Sequence, residues 1–125
     1  DLARCPGDRF VNFKAFHMAL FANSQQLFPN TPSDHGDLFT STVTRCGNVE
    51  VFGALGCPEL GRLGCDHDLA GSPVIADRHD FECRRPTTNA TGGDVCRVRF
   101  YRKGTAPDTE VIDGVEVRWT DALNR

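Results

Sequence analysis

The 125-residue sequence predicts an α+β domain in which one N-terminal helix packs on a small antiparallel β-sheet, with disulfides stabilising the whole. Three observations support this prediction. A long helical pattern lies near the N-terminus, short β-branched and aromatic runs follow it, and six cysteines are spread through the chain. Residues 1–125 are expected to form one domain, because a chain of this length can bury a core of its own.

The helix is predicted from about Arg9 to Leu27. Asp8 is placed to cap its N-terminus, Pro6-Gly7 prevents an earlier start, and Pro29 prevents a later end. Mostly apolar positions repeat along one face, which we expect to pack against the sheet as core: Phe10, Phe13, His17, Leu20, Phe21, Ser24 and Leu27.

The middle of the chain is predicted to contain short strands and long loops. Asn30–Asp37 has the composition of a loop. Leu38–Val43 and Asn48–Ala54 are rich in β-branched and aromatic residues and are predicted to form a hairpin. Leu55–Pro73 is rich in glycine and is predicted to be a long irregular connection, and Ala76–Cys83 is predicted to be a strand.

The C-terminal third has the clearest strand signals. After a predicted loop at Pro86–Gly93, residues Val95–Tyr101 alternate between apolar and polar side chains, the period of a half-buried strand. Val111–Val117 contains the pair Asp113-Gly114 between apolar runs, which predicts a two-residue hairpin turn.

The cysteines indicate disulfides and a secreted, extracellular protein. Their number is even and none of them forms a Cys-x-x-Cys pair, so a zinc or thioredoxin-like site is disfavoured and no metal or cofactor is expected. The six are Cys5, Cys46, Cys57, Cys65, Cys83 and Cys96. Asn89-Ala90-Thr91 is a glycosylation sequon, which is compatible with a secretory route.

The formal charge of −3 argues against a general nucleic-acid or membrane binder, and no apolar run is long enough for a membrane span. Basic residues nevertheless concentrate between Glu82 and Lys103. The candidate binding residues for phosphates or an acidic surface are Arg84, Arg85, Arg97, Arg99 and Tyr101. The alternative is an ordinary strand face that pairs with carboxylates such as Glu110 or Glu116.

Two further groups could carry acid–base or metal chemistry, although their spacing is weakly specific. These are Asp66-His67-Asp68 and His79-Asp80. The segment Arg78-His79-Asp80-Phe81 with Arg84 resembles the helical His-Asp motif of secreted bacterial and fungal phospholipases. Pro86 and the residues after it cannot continue the long helix that carries the motif in that family.

A longer resemblance covers roughly residues 5–81. Several segments resemble ribonuclease-like fungal secreted effectors, relatives of the guanyl-specific fungal ribonucleases: Cys5-Pro6-Gly7 with Phe10, Phe28-Pro29-Asn30, Gly71-Ser72-Pro73 and Ala76-Asp77-Arg78. The resemblance implies one helix on a short antiparallel sheet.

The same resemblance implies that Glu59 stands at the position of the catalytic base and Arg78 at that of the phosphate-binding cation. Asn30 occupies the position of the first histidine, and the second histidine, the general acid, is missing near Gly92-Gly93. The resemblance therefore implies a relative without catalytic activity.

From these observations we expect a secreted, disulfide-rich interaction protein of the effector type, a fungal virulence factor acting on a host protein. One alternative is a secreted hydrolase, ribonuclease-like first and phospholipase-like second, that uses Glu59, Arg78, His79 and Asp80. Another is a module that binds RNA or another anionic ligand. Convergence of two residues among Glu59, Arg78, His67 and His79 in one cleft would favour an enzyme.

Overall fold

The computed structural model describes residues 4–118, apart from the side chain of residue 69. Within that range the order of the elements is α1 (Arg9–Asn23), β1 (Asn30–Asp34), β2 (Leu38–Val43), α2 (Gly47–Ala54), α3 (Leu63–His79), β3 (Phe81–Thr87), β4 (Cys96–Arg102), β5 (Thr109–Ile112) and β6 (Val115–Arg118). Short 3-10 turns occupy Pro58–Arg62 and Asn89–Thr91. The predicted α+β class with antiparallel strands is confirmed.

The main sheet is antiparallel with the strand order β1-β2-β4-β3, and β5 and β6 form a separate hairpin. Phe39 of β2 and Cys83 of β3 both lie opposite Phe100 of β4, so these side chains share one face of the sheet. In β3 the register shifts between Arg84 and Thr87. The face with Phe39 and Phe100 packs against the helices.

Aromatic rings form the core between α1 and the sheet. The Phe13 ring lies 4.1 Å from that of Phe81 and 5.0 Å from that of Phe100, measured between centroids. Phe10 and Phe39 complete the buried cluster. Each such ring removes a large apolar area from water, so the core does not depend on cross-links.

The N-terminal end of α1 is as predicted, but its C-terminal end is not. The Asp8 carboxylate accepts hydrogen bonds from the backbone N–H groups of Phe10 and Val11, at 2.9 and 3.0 Å. The helix ends at Asn23 rather than Leu27, because the chain turns there and the Leu27 carbonyl accepts a hydrogen bond from the N–H of a later residue, Gly47. Leu27 is therefore 59% exposed and does not belong to the core, and neither does the 47% exposed Leu20.

The prediction of a single helix is wrong, because Asn48–Ala54 lies in α2 and most of Leu55–Pro73 lies in a 3-10 turn and α3. The β-branched residues of α2 and the glycines and Pro73 of α3 disfavour a helix locally. Packing of α3 against β3 and α1 overrides this preference.

Of the remaining predictions of strands and loops, some are wrong and others are confirmed. Most of Ala76–Cys83 belongs to the end of α3, and Asn30–Asp34 is a strand rather than a loop because it pairs with β2. The predicted strand at Val95–Tyr101 and the hairpin around Asp113-Gly114 are confirmed. Asp113 and Gly114 have φ of 53° and 79°, the left-handed values that such a two-residue turn requires.

The expectation of disulfide stabilisation is wrong, since all six cysteines are free thiols. Cys5 is exposed at the N-terminal side and Cys57 lies just before a 3-10 turn. The buried aromatic cluster stabilises the fold without cross-links. No helix within residues 4–118 has both the length and the apolar character that a membrane span requires.

His17 lies inside the aromatic cluster, as the helical pattern predicts. Its ring stands 4.1 Å from that of Phe13 and 5.1 Å from that of Phe100, between centroids. Its buried Nδ1 has no hydrogen-bond partner among the described residues. Burial lowers the pKa of His17 to about 4, with a smaller contribution in the same direction from the nearby His79.

We expect stability to fall in mild acid because of His17. The unfolded chain takes up this proton near pH 6.5 and the folded chain only near pH 4, so the free energy of unfolding decreases as the pH falls between those values. The loss is up to about 3 kcal/mol, and urea denaturation at a series of pH values measures it. His17→Phe should remove most of the loss, whereas His35→Gln in an exposed loop should retain it. Equal stability of the wild type at pH 7 and pH 4.5 would contradict the prediction.

Candidate active site

Three cysteines meet where α2, α3 and β4 begin. Cys46 immediately precedes α2, Cys65 lies in the first turn of α3, and Cys96 is the first residue of β4. They are close enough for their charges to interact, since Cys46 affects the titration of both other thiols. We call these cysteines, together with Arg85 and Asp68, the thiol site.

Close backbone approaches place the first two cysteines. At Gly47 a Cβ atom would lie 2.8 Å from the Leu27 carbonyl oxygen, and the Gly47 N–H donates to that oxygen. At Gly61 a Cβ atom would lie 3.2 Å from Cα of Val49, so the turn before α3 packs tightly on α2. These two contacts bring the N-terminal ends of α2 and α3 together, where the partial positive charge of a helix end favours a thiolate or a bound anion.

Cys96 is held by Asn89. The Asn89 N–H donates to Sγ of Cys96 at 3.2 Å, and the thiol donates to Oδ1 of Asn89 at 3.1 Å. Burial raises the pKa of the Cys96 thiol, while the Asn89 N–H lowers it. Because both its proton and its lone pair are engaged, Cys96 is poorly placed to attack a substrate.

Asn89 is also the acceptor residue of the predicted glycosylation sequon, and its side chain is held by hydrogen bonds. Nδ2 of Asn89, the atom that would carry a glycan, donates to the carbonyls of Gly93 and Asp94 at 3.1 and 2.9 Å. Glycosylation there would have to break both hydrogen bonds. Glycosylation of Asn89 and an extracellular location stay predictions.

Arg85 is the cation of the thiol site. Only 8% of the residue is exposed, and its guanidinium donates to the Cys65 carbonyl at 3.2 Å and to Oδ2 of Asp68 at 3.5 Å. Its Nε has no hydrogen-bond partner among the described residues. The Asp68 side chain is 69% exposed, so this ion pair compensates a buried cation only weakly. Such a cation is suited to binding an anionic ligand.

Within the thiol site, Cys65 is the cysteine best placed for nucleophilic chemistry. It is partly exposed, whereas Cys46 is buried. Burial raises the pKa of the Cys65 thiol, the charge of Arg85 lowers it, and the Thr88 hydroxyl also lowers it. The thiol is therefore protonated at rest, but a cation and a hydroxyl stand beside it to stabilise the thiolate when the proton leaves.

The acid–base residues considered in the sequence do not converge. Glu59 is exposed in the 3-10 turn before α3, and Arg78 is exposed near the other end of that helix. The helix between Leu63 and Arg78 separates them by roughly 22 Å along its axis. His67 and His79 likewise lie near opposite ends of α3. Glu59 and Arg78 therefore cannot act together as a ribonuclease pair.

His79 packs on the aromatic core, and Asp80 ends α3 and lies near Arg102. The His79 ring lies 6.1 Å from that of Phe13, and only 8% of the residue is exposed. Burial lowers the pKa of His79. Asp80 has a left-handed φ of 61° at the end of α3, and its carboxylate lies 3.7 Å from the Arg102 guanidinium.

The basic residues of β4 face the hairpin β5–β6. The Arg97 guanidinium lies 2.7 Å from the Asp113 carboxylate, and both Arg99 and Tyr101 donate hydrogen bonds to Glu110. Burial raises the pKa of the Tyr101 hydroxyl, and the bond to Glu110 raises it further. The carboxylates of the hairpin thus occupy the groups that were considered for binding an anionic ligand, and that role stays a prediction.

Arg84 and Arg85 are adjacent in sequence but have different hydrogen-bond partners. Arg84 donates to Glu82 at 2.9 Å, whereas Arg85 belongs to the thiol site. Sequence reasoning singled out both as candidate anion ligands but did not separate them. It also missed the thiol site, because the cysteines were assigned to disulfides. The signal that was available is the absence of paired cysteine spacing, which suits free thiols as well as disulfides.

In this α+β domain a partly exposed thiol lies beside a buried, weakly paired arginine. A site of this kind is suited to covalent attack on a small anionic substrate. Residues 4–100 match the model of the L-2-amino-thiazoline-4-carboxylic acid hydrolase family. The chain therefore belongs to this family. Neither the curated proteins nor the solved structures yielded a match. Residues 4–118 contain no group of three or more His, Cys, Asp or Glu side chains arranged to hold a metal ion.

The family match overturns the effector hypothesis. The assignments to a secreted effector, a fungal virulence factor and a ribonuclease-like fold are wrong, because the residues that suggested them lie in the segment that matches a hydrolase family. The structure gives a physical reason. Gly71-Ser72-Pro73 and Ala76-Asp77-Arg78 are consecutive parts of α3 rather than a loop beside a ribonuclease site.

We expect Arg85 to control the reactivity of Cys65. Arg85→Ala removes the charge that lowers the pKa of this thiol, so alkylation of Cys65 by iodoacetamide at pH 8 should become several-fold slower. Peptide mass spectrometry measures the rate at each cysteine. If the alanine variant does not fold, Arg85→Lys replaces it. This variant keeps a positive charge near Cys65, so it should keep part of the wild-type rate of alkylation.

The matched control is Arg97→Ala, which removes an arginine bound to Asp113 on the other face of the sheet. It should leave the alkylation rate of Cys65 unchanged. An unchanged rate in a folded Arg85→Ala variant would show that Arg85 does not act on this thiol.

Proposed function

We propose that this chain is a hydrolase that opens the ring of 2-amino-thiazoline-4-carboxylic acid or of a close relative, with Cys65 as nucleophile and Arg85 as the anchor of the carboxylate. The observation that carries the proposal is the partly exposed Cys65 beside a buried guanidinium whose Nε has no protein partner in the described structure. Membership of the family supports the reaction class.

The substrate has two groups that complement the thiol site. Its carboxylate can accept two parallel hydrogen bonds from a guanidinium, the geometry that arginine favours. Asp68 is mostly exposed and 3.5 Å from Arg85, so it can yield to the substrate without loss of a strong ion pair. Carbon 2 of the ring is bonded to sulfur and two nitrogens and is electrophilic, which makes it the target for a thiol.

In the first step, the sulfur of Cys65 forms a bond with carbon 2 while the thiol proton passes to the ring nitrogen. The lone pair of the exocyclic amino group then expels the ring sulfur, which leaves as a thiol by taking a proton from that amino group. Because burial raises the pKa of Cys65, the thiol keeps its proton until the basic ring nitrogen arrives. Arg85 stabilises the sulfur as its proton leaves.

In the second step, water attacks the carbon now bonded to Cys65, the carbon–sulfur bond breaks, and the thiol regains a proton. The product is a urea that carries a free thiol, and one water has been added overall. The two steps balance without a proton from Cys96 or Cys46. Cys96 stays hydrogen-bonded to Asn89, and Cys46 stays buried.

Cys65→Ser should abolish turnover of 2-amino-thiazoline-4-carboxylic acid, with a loss of more than about a thousandfold in kcat, because the variant lacks the nucleophile. Chromatography with mass detection of the urea product measures the rate without interference from protein thiols. Cys5→Ser, which removes an exposed thiol outside the site, is the control and should retain activity.

Arg85→Lys should raise KM by about tenfold or more and change kcat less, because it keeps the charge but loses the two-pronged hydrogen bonds. Rapid quenching of the wild type should trap substrate mass on Cys65. Wild-type activity in Cys65→Ser, or trapped mass on Cys96 instead, would refute the assignment of Cys65.

A further inference from the structure

We infer that Asp68 is the general base of the second step: its carboxylate takes a proton from the attacking water and returns that proton to the sulfur of Cys65. The inference rests on the proposed function, because it names the group that activates water in that reaction. Its support comes from the position of Asp68 on α3, from its contact with Arg85 and from its exposure to water.

Asp68 lies on the same side of α3 as Cys65. The two residues are three positions apart in the first two turns of the helix. Side chains at this spacing are neighbours, with Cβ atoms about 5–6 Å apart. Because the Cα–Cβ bonds of a helix tilt towards its N-terminus, the Asp68 carboxylate leans over the turn that carries Cys65. A carboxylate in this position reaches a carbon bonded to the sulfur through one water molecule.

Arg85 contacts both residues. Its guanidinium donates to the backbone carbonyl of Cys65 at 3.2 Å and to Oδ2 of Asp68 at 3.5 Å. The second distance is long for a hydrogen bond between charged groups. When the substrate carboxylate binds to Arg85, Asp68 therefore leaves this contact readily, while the helix keeps it beside Cys65. Substrate binding thus frees the base at the place where water attacks.

The two neighbouring acid–base groups of α3 are not placed for the same role. Asp66 pairs with Arg62 at 3.3 Å, one turn earlier in the chain. His67 is two positions from Cys65, and side chains at that spacing do not face each other on a helix. The Asp68 side chain is 69% exposed, so water has access to it. Of these three adjacent groups, Asp68 is the one that combines access to water with a position beside the sulfur.

The proton transfers of the second step balance with Asp68 as the base. After the first step, Cys65 is bonded to a carbon that carries an imine nitrogen and the nitrogen of the opened ring. The water oxygen bonds to this carbon as Asp68 takes one proton from the water. The carbon–sulfur bond then breaks with its electron pair on sulfur, and Asp68 returns the proton to form the thiol. The other proton passes from the oxygen to the imine nitrogen, which completes the urea.

The first test is Asp68→Asn, which keeps the shape of the side chain and removes the base. We expect kcat for 2-amino-thiazoline-4-carboxylic acid to fall about hundredfold, because only the second step loses its base. After rapid quenching, most of the protein should carry substrate mass on Cys65, and peptide mass spectrometry measures this fraction. The matched control is Asp66→Asn, which removes the adjacent carboxylate paired with Arg62 and should keep the wild-type kcat.

The second test separates proton transfer from a structural role. Asp68→Ala leaves space for a small base, so sodium formate should raise kcat of this variant about tenfold and should not raise that of Cys65→Ser. If Asp68 only held Arg85 in place, its loss would slow formation of the adduct instead. Formate would then give no rescue, and no adduct would accumulate. Because the Asp68 side chain is mostly exposed, neither substitution disturbs the core.

The outcomes separate the inference from the proposed function. Wild-type kcat in Asp68→Asn, or a slow variant without adduct on Cys65, would overturn the role of Asp68 and leave Cys65 as the nucleophile. Full activity of Cys65→Ser, or no turnover by the wild type, would overturn the proposed function and the role of Asp68 with it. Accumulated adduct in Asp68→Asn together with formate rescue of Asp68→Ala would support both.

Discussion

The packing of the Phe13 ring, stacked on Phe81 and edge-to-face with Phe100, is the contact on which the rest of the structure depends. Phe81 is the first residue of β3 and follows the left-handed Asp80 that ends α3. Because the chain reverses at this point and the aromatic cluster holds it there, α3 and β3 run side by side in opposite directions. The beginning of α3 therefore meets the later part of β3, which places Cys65 against Arg85.

The thiol site balances two opposing effects on one group. Burial alone raises the pKa of Cys65 and would leave an inert thiol, but Arg85 and Thr88 stabilise the thiolate. Arg85 is itself buried with one long ion pair, an arrangement that costs stability unless a ligand completes it. A buried charge with a weak partner, and a thiol whose pKa burial raises and a nearby cation lowers, are features that concentrate at functional sites. An anionic ligand at the thiol site would account for both the cost at Arg85 and the proposed reactivity of Cys65.

Features set by neighbouring residues could be predicted from the sequence, and features set by distant contacts could not. The Asp8 cap, the alternation of β4 and the Asp113-Gly114 turn each depend on a few adjacent residues. By contrast, α2 contains β-branched residues and α3 contains Pro73, so both are helices against their local preference. Their positions depend on close approaches to residues elsewhere in the chain, as at Gly47. The thiol site inherits that dependence, since Cys46 and Cys65 stand where these helices begin.

The meaning of the six cysteines changes with this arrangement. Six cysteines without a Cys-x-x-Cys pair indicated disulfides and an oxidising compartment. The same number and spacing are also compatible with free thiols. Because Cys46, Cys65 and Cys96 lie near one another, a disulfide between Cys65 and either neighbour would consume the proposed nucleophile. The proposed chemistry therefore requires Cys65 to stay reduced, because a sulfur joined in a disulfide cannot attack carbon 2 of the ring. The extracellular location expected from the sequence stays a prediction.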